Sequence, residues 1–263
     1  MDKMFFIDQL DRKVEISGSP RRIVSLVPSQ TELLIALGLE EHIVGVTKFC
    51  VHPDTIRKEK TIVGGTKNIK YDRIRALEPD IILCNKEENT KEIVENLAKE
   101  FPVHVSDIFT IADALELIQQ YGELFDVQEQ ANSLVQDIEK EQQAFLDFVK
   151  DKPARRVVYF IWKDPWMAAA NQTFINHLLK LNKFINVFED EDRYPEKSKE
   201  EIQDLEKLDK ILLSSEPFPF SEKHIEQVQQ LHENAEVLLV DGEYFSWYGS
   251  RLLGAFTYFK TLH

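Results

Sequence analysis

From Val127 to Lys150 the chain reads VQEQANSLVQDIEKEQQAFLDFVK, with neither glycine nor proline. Ala131, Leu134, Val135, Ile138, Phe145, Phe148 and Val149 recur along it at helical spacing, which predicts one continuous amphipathic helix. At 1.5 Å of rise per residue it runs about 36 Å. On either side the pattern is different. Before it, strands in RRIVSLVPS, HIVGVT, DIILCN and PVHVSD alternate with helices in QTELLIALGL, YDRIRALEP, NTKEIVENLAKEF and IADALELIQQYGELF. After it, strands in VVYFIW, KILLSS and EVLLVD alternate with helices in TFINHLLKLN, SKEEIQDLEKL, SEKHIEQVQQLHE and GSRLLGAFTYFKTLH. Continuous β-branched strands alternating with helices indicate mostly parallel sheets covered on both faces. The expected fold class is therefore α/β. Two Rossmann-like lobes, 1–126 and 152–263, are joined by one long backbone helix at 127–151.

Charge and cysteine usage remove several functional classes. Of 263 residues, 46 are acidic and 32 basic, a net −14, which argues against nucleic acid and anionic membrane surfaces as partners. Cys50 and Cys84 form no C-x-x-C pair, so neither a disulfide framework nor a four-thiolate zinc site is available. No run approaches the roughly 18 apolar residues of a transmembrane helix. The apolar run Met4–Ile7 is too short for a secretory signal, which leaves either a cytosolic protein or one whose leader has been replaced. There is no G-x-x-x-x-G-K-[ST], G-x-G-x-x-G or G-x-S-x-G, so binding is expected and catalysis is not. Ser29 and Thr31 read as helix caps. His177, His224 and His232 fall on helices as packed or solvated residues, and Cys84 reads as a small hydrophobe ending a strand.

RRIVSLVPSQTELLIALGL, then IVGVTKFCVHP, then YDRIRALEPDIIL, in that order and spacing, resemble the class III periplasmic binding proteins of ABC importers. These are the helical-backbone metal receptors whose members carry vitamin B12, haem or ferric siderophores. The resemblance runs from about Asp8 to the C-terminus, with FIWKDPWMAAANQTFINHLL and DGEYFSWYGSRL as second-lobe signatures. It implies two α/β lobes rigidly connected by the long helix, a ligand held in a cleft between them, no required cofactor, and a monomer. The ligand it implies is a small-molecule metal chelate: cobalamin or another corrinoid, haem, or a ferric siderophore.

Carried onto this sequence, the resemblance gives Phe49, Trp162, Trp166, Met167, Tyr244, Phe245 and Trp247 as ligand-binding aromatics and neighbours. Aromatic rings supply rigid contact area for a broad, flat ligand. Cys50, His52, Thr66 and Lys67 complete the ligand-binding set, although the further first-lobe aromatic expected at Thr66 or Lys67 is absent. Cys50 and His52 share a loop, and either would supply an axial ligand to a corrinoid cobalt or haem iron; otherwise the metal arrives fully chelated. Lys48, Lys67, Lys163 and Arg251 also lie near these loops. For docking onto a permease, Asp72 matches the first-lobe carboxylate. The second expected carboxylate falls on Ser246 with Glu243 nearest, so the pair is incomplete. The expected function is a ligand-binding protein of the periplasm or its membrane. The alternatives are an intracellular carrier or sensor uncoupled from a permease and, less favoured, a two-lobed α/β enzyme.

Overall fold

The computed structural model describes residues 3–263. Strands β1 (Lys3–Ile7) and β2 (Lys13–Ser17) pair antiparallel, with Phe6 opposite Val14 and Met4 opposite Ile16. Period-two burial of Val14 and Ile16 fixes which face of the hairpin packs inward. The sequence reading had no hairpin here, because the strand face it shows to solvent is itself apolar at Phe5 and Ile7 and hides the alternation.

Elements then follow in order: β3 (Ile23–Ser25), α1 (Pro28–Ala36), β4 (Ile43–Val46), α2 (Ile56–Glu59), β5 (Thr61–Ile62), α3 (Tyr71–Ala76), β6 (Ile81–Asn85), α4 (Lys91–Leu97), β7 (Val103–Ser106), α5 (Ile111–Phe125) and α6 (Gln128–Val149); α2 and β5 are short elements in a stretch, 48–70, where the sequence predicts a loop. The five-stranded sheet has the order β5-β4-β3-β6-β7 and every pair in it is parallel. β3, β6 and β7 are buried along their whole length, as strands covered on both faces must be. The chain leaves β3 towards β4 and later returns to its other side as β6. The C-terminal ends of these strands therefore flank a topological switch point.

The second half builds β8 (Arg155–Trp162), β9 (Trp166–Ala168), α7 (Phe174–Leu181), β10 (Phe184–Asn186), β11 (Glu196–Lys197), α8 (Lys199–Gln203), β12 (Lys210–Ser214), α9 (Glu222–Gln229), β13 (Glu236–Val240), α10 (Glu243–Ser246) and α11 (Leu252–Phe259). The sheet order is β11-β9-β8-β12-β13, with β10 also on β8. β8, β10, β12 and β13 are parallel, and β9 runs antiparallel to β8 and β11. Local chemistry sets the boundaries. Thr90 and Thr173 cap α4 and α7 by accepting from Ile93 N and Asn176 N, and Ser198 with Glu201 forms a capping box on α8. Gly38, at φ +79°, ends α1 with its N–H on Ile35 O, the left-handed cap that glycine adopts without strain.

The chain divides into two compact units. One holds the residues up to Ile108, Ala112–Glu139 and Tyr248–Leu252; the other holds Phe109–Ile111, Lys140–Trp247 and Leu253–His263. The division falls within α6, and unit 1 takes in Tyr248–Leu252, a segment that the order of elements places with the second lobe. The unit 1 core includes Val24, Leu26, Val63, Ile74, Ile82 and Val105. The unit 2 core includes Val158, Phe160, Trp166, Ile211, Leu213 and Phe220.

Within unit 1, α5 and α6 approach closely at Gly122, where an added Cβ would meet Ala131 Cβ at 2.7 Å. Alanine gains up to about 1 kcal/mol of helix propensity over glycine, whereas overpacking a close contact costs about 1–3 kcal/mol. The clash wins. Gly122→Ala is expected to lower the unfolding free energy by about 1–2 kcal/mol, read as a lower denaturant midpoint at unchanged slope.

Candidate functional site

In unit 1 the C-terminal ends of the sheet are closed by a buried polar network. Gln30 of α1 donates from Nε2 to Ser106 Oγ (2.7 Å), Tyr248 OH (3.0 Å) and Cys84 O (3.3 Å), and accepts from Tyr121 OH at Oε1 (2.8 Å). Asn85 Nδ2 reaches Ser106 O and Oγ. Burial pushes the phenol of Tyr248 up to about 12 and that of Tyr121 well above its ordinary value, so both stay neutral and act only as hydrogen-bonding groups. Arg251 holds Glu32 through two parallel bonds, Nε to Oε2 at 2.9 Å and Nη2 to Oε1 at 2.8 Å. Gly249, at φ +95°, lies against Leu33. Together these contacts pin Tyr248–Leu252 onto α1.

The expected caps on α1 are not there. The helix begins at Pro28 with Val27 as an N-cap that lacks any side-chain bond. Thr31 Oγ1 instead donates to Ser25 Oγ (2.8 Å) and lies 3.2 Å from Cys50 Sγ, which also lies 3.3 Å from Thr47 Oγ1. Cys50 is only 1% exposed, and burial raises its thiol pKa against the opposing pull of Thr31 and Thr47. This corrects the expectation of a ligand-facing Cys50. The side chain turns inward, and a protonated buried thiol is no axial ligand. His52 is half-buried and lines a depression of about 330 Å³ with Glu32, Ile35, Ala36, Pro53 and Ser250.

Phe49 follows β4 and is 48% exposed. An added Cβ on Gly65 would meet Phe49 Cε2 at 3.2 Å and Lys48 Cε at 3.5 Å, so ring and lysine stem lie side by side over the glycine. Thr66 is half-buried, its carbonyl accepting from Asn89 Nδ2 (2.8 Å), and Lys67 is exposed. Asp72, in the first turn of α3, has a 99% exposed side chain that reaches Arg75 at 3.0 Å. A depression of about 630 Å³ runs along Lys70, Tyr71, Asp72, Arg73 and Arg75.

In unit 2 the structure separates the aromatics by burial. Trp162 ends β8 and is 39% exposed, backed edge-on by Phe218 at 5.5 Å. Trp166 is 4% exposed and packs on Phe160 (5.0 Å) and Phe220 (6.0 Å). Phe245 is fully buried between Tyr159 (5.0 Å) and Phe259 (4.8 Å). Trp247 is nearly buried, its Nε1 donating to Glu216 Oε1 at 2.9 Å. The expectation that these three line a ligand site is corrected: they fill the core of unit 2 or fix its loops. Trp166 and Met167 lie not in a loop but on β9, where Met167 pairs with Glu196 of β11 and is half-buried. Tyr244, on the single turn α10, is half-buried and stacks on Tyr258 at 4.9 Å. Glu243, also half-buried, opens that turn with its N–H on Asp241 Oδ1.

The sequence reading missed Glu216 and Phe218, which follow β12. EPFPF reads from sequence as a plain turn, and only the register of β12 beside β8 places Phe218 behind Trp162. Among the described residues no cluster of three or more His, Cys, Asp or Glu could hold a bare metal ion, and no helix is long and apolar enough to cross a membrane.

The family model for periplasmic binding proteins matches residues 23–238. A vitamin B12-binding protein of Pectobacterium carotovorum is 26% identical over 238 residues, 89% of this chain and 85% of that protein. An uncharacterized ABC transporter substrate-binding lipoprotein of Bacillus subtilis, YvrC, is 26% identical over 184 residues, which cover 66% of this chain and 57% of the relative's length. Among solved structures, a periplasmic haem-binding protein from Pseudomonas aeruginosa superposes with a TM-score of 0.79 at 18% identity, over 92% of each chain. It shares the α/β fold, with mostly parallel sheets in two lobes.

Glu216 is the most perturbed acid of these loops. Burial raises its carboxyl pKa, Glu243 and Asp241 add to the rise, and the bonds from Ser246 Oγ (2.5 Å) and Trp247 oppose it. A raised folded-state pKa contributes stability that is complete below the ordinary Glu value of about 4.3 and is lost as pH rises through the raised value. Glu216→Gln keeps an oxygen acceptor for Ser246 and Trp247 and does not titrate. The stability of the native chain relative to this variant should therefore be complete below about pH 4.3 and fall as pH rises above it through the raised value, measured by urea unfolding at each pH.

Proposed function

We propose that this chain, which belongs to the periplasmic binding protein family, binds a metal chelate, of the corrinoid, haem or ferric siderophore type, and carries it unaltered. The observation that carries the proposal is the selective exposure of rings. Most large aromatics of both units are core, yet Phe49 in unit 1 and Trp162 in unit 2 are 48% and 39% exposed where a strand of a mostly parallel sheet ends. Parallel α/β sheets offer ligands their carboxyl ends, and an exposed ring fixed from behind gives a flat ligand contact area at little conformational cost. Relatives named as vitamin B12-binding and haem-binding proteins support the chelate class. The metal is cargo, and no resident cofactor is required. Of the two axial-ligand candidates, His52 alone reaches the surface.

A partner follows from the same family. In this reading an ABC permease receives the loaded protein, and Asp72, the exposed carboxylate of α3 paired only with the exposed Arg75 among the described residues, is the unit 1 contact, with Glu243 as the unit 2 candidate. An exposed carboxylate suits a charge-assisted bond to a permease arginine.

Absorption and fluorescence titration with cyanocobalamin, haemin and a ferric siderophore tests the proposal. One of them is expected to quench tryptophan emission saturably at one-to-one stoichiometry and to be recovered unchanged. Trp166 and Trp247 are buried, so Trp162→Phe should remove most of the quenching. Phe49→Ala should weaken binding by roughly tenfold or more, as for a stacked aromatic anchor. Asp72→Ala is expected to leave ligand affinity unchanged while lowering co-purification with the permease and uptake of the ligand. An unchanged uptake would remove Asp72 from the docking surface.

A further inference from the structure

Four basic residues lie near the strand ends, and the structure divides them. Arg251 is engaged by Glu32, and Lys163 Nζ lies 2.6 Å from Gln227 Oε1. Lys48 and Lys67 are exposed, and among the described residues no carboxylate lies within ion-pair distance of either. Lys48 Nζ stands 4.8 Å from the centroid of the Phe49 ring. The loops that carry these residues are tied together: Lys48 N donates to Gly64 O (2.8 Å), Phe49 N to Thr47 Oγ1 (3.3 Å), and Gly65 N to Asn68 O (2.8 Å). Ring, ammonium and Lys67 loop thus form a fixed feature of unit 1.

Charge is distributed to match. The chain carries −14, yet residues 48–70 hold Lys48, Arg57, Lys58, Lys60, Lys67 and Lys70 against Asp54 and Glu59, a local net of +4. The acids at the same end of the sheet are Glu87 and Glu88 after β6, and Asp107, whose carboxylate is held by Lys86 at 2.5 Å. β6 lies two strands from β4, roughly 10 Å across the sheet, so physiological salt screens most of the effect of Glu87 and Glu88 on Lys48. Lys67 lies nearer to them, since Thr66 O accepts from Asn89 Nδ2 at 2.8 Å, which makes Lys48 the stronger of the two anion contacts.

We infer that this feature selects an anionic ligand. Phe49 takes the flat face of a conjugated chelate, and the ammonium groups of Lys48 and Lys67 take carboxylate or phenolate groups on its rim. The inference rests on the chelate-binding reading above and narrows it. A ligand rimmed by neutral carboxamides leaves both ammonium groups without a charged partner. One rimmed by anions forms charge-assisted bonds to a lysine already held against a ring, at little further cost in side-chain order.

The test compares haemin with its dimethyl ester, the same macrocycle with its carboxylates neutralised, by absorption titration. Haemin is expected to bind roughly tenfold or more tightly than the ester. The double variant Lys48→Gln, Lys67→Gln should bring haemin down to the affinity of the ester and leave the ester unchanged, whereas Phe49→Ala should weaken both alike. Both lysines are exposed, so an unaltered unfolding midpoint serves as the folding control. Equal affinity for haemin and ester, a preference that survives in the double variant, or preferred binding of the carboxamide-rimmed cyanocobalamin would each overturn the inference while leaving chelate binding in place. Binding of none of the chelates would overturn the chelate-binding reading itself.

Discussion

The four hydrogen bonds of Gln30 are the constraint on which unit 1 depends. One buried amide satisfies the hydroxyl of Ser106 on β7, the carbonyl of Cys84 on β6, the phenol of Tyr121 on α5 and the phenol of Tyr248 from the far end of the sequence. An amide has two donor hydrogens and one acceptor oxygen with two lone pairs, so this network uses nearly all that it offers. Removing one partner strands the others without water, at about 1–3 kcal/mol each. Gln30, Asn85 and Ser106 above β3, β6 and β7 are engaged with one another, whereas Phe49, Lys48 and Lys67, on the loops after β4 and β5, are exposed; that contrast is why the proposed recognition is placed there.

Unit 2 reaches the same end by a different route. Its strand ends are filled by rings, not amides: Phe160, Trp166, Phe218, Phe220 and His224 are joined by edge and stacked contacts of 4.7–6.0 Å. Trp162 is the exposed end of this chain of contacts. A ring backed by another ring has few rotamers left to lose on binding, which separates an anchor from an incidental exposed hydrophobe. The buried carboxylate of Glu216 complements this by holding Ser246 and Trp247 in place, at the cost in desolvation that its raised pKa records.

Much of the fold was legible because parallel strands buried on both faces leave an unmistakable record: Ile23–Ser25, Ile81–Asn85 and Lys210–Ser214 are nearly continuous apolar runs, and the glycine-free stretch appears as a single helix, Gln128–Val149. The site was less legible for one reason. Sequence shows that aromatics cluster and cannot show which way each one points. DGEYFSWYGSRL places six residues of ring or carboxylate character within eight positions, and a single turn of helix sends Phe245 into the core, Trp247 onto Glu216, Tyr248 onto Gln30 and Tyr244 onto Tyr258. Cys50 illustrates the same limit: sequence places it after β4, but its inward turn depends on two threonine hydroxyls, Thr31 and Thr47, that come from different parts of the chain.

Net charge and local charge then have to be weighed separately. A chain at −14 repels anions at long range, which by itself argues against an anionic ligand. Electrostatic reach in physiological salt is only about 8 Å, however, and contact selectivity is decided by the groups within that distance. Around Phe49 those groups are Lys48, with Arg57 donating to the Lys48 carbonyl, set in a segment with three times as many basic as acidic residues. The acidic surface elsewhere keeps the protein dispersed and slows the approach of anions from a distance. In the proposed reading the basic loop acts only after arrival. On the proposed reading, overall acidity would act on the association rate and Lys48 and Lys67 on dissociation, because a weakly steered ligand can still be a tightly held one.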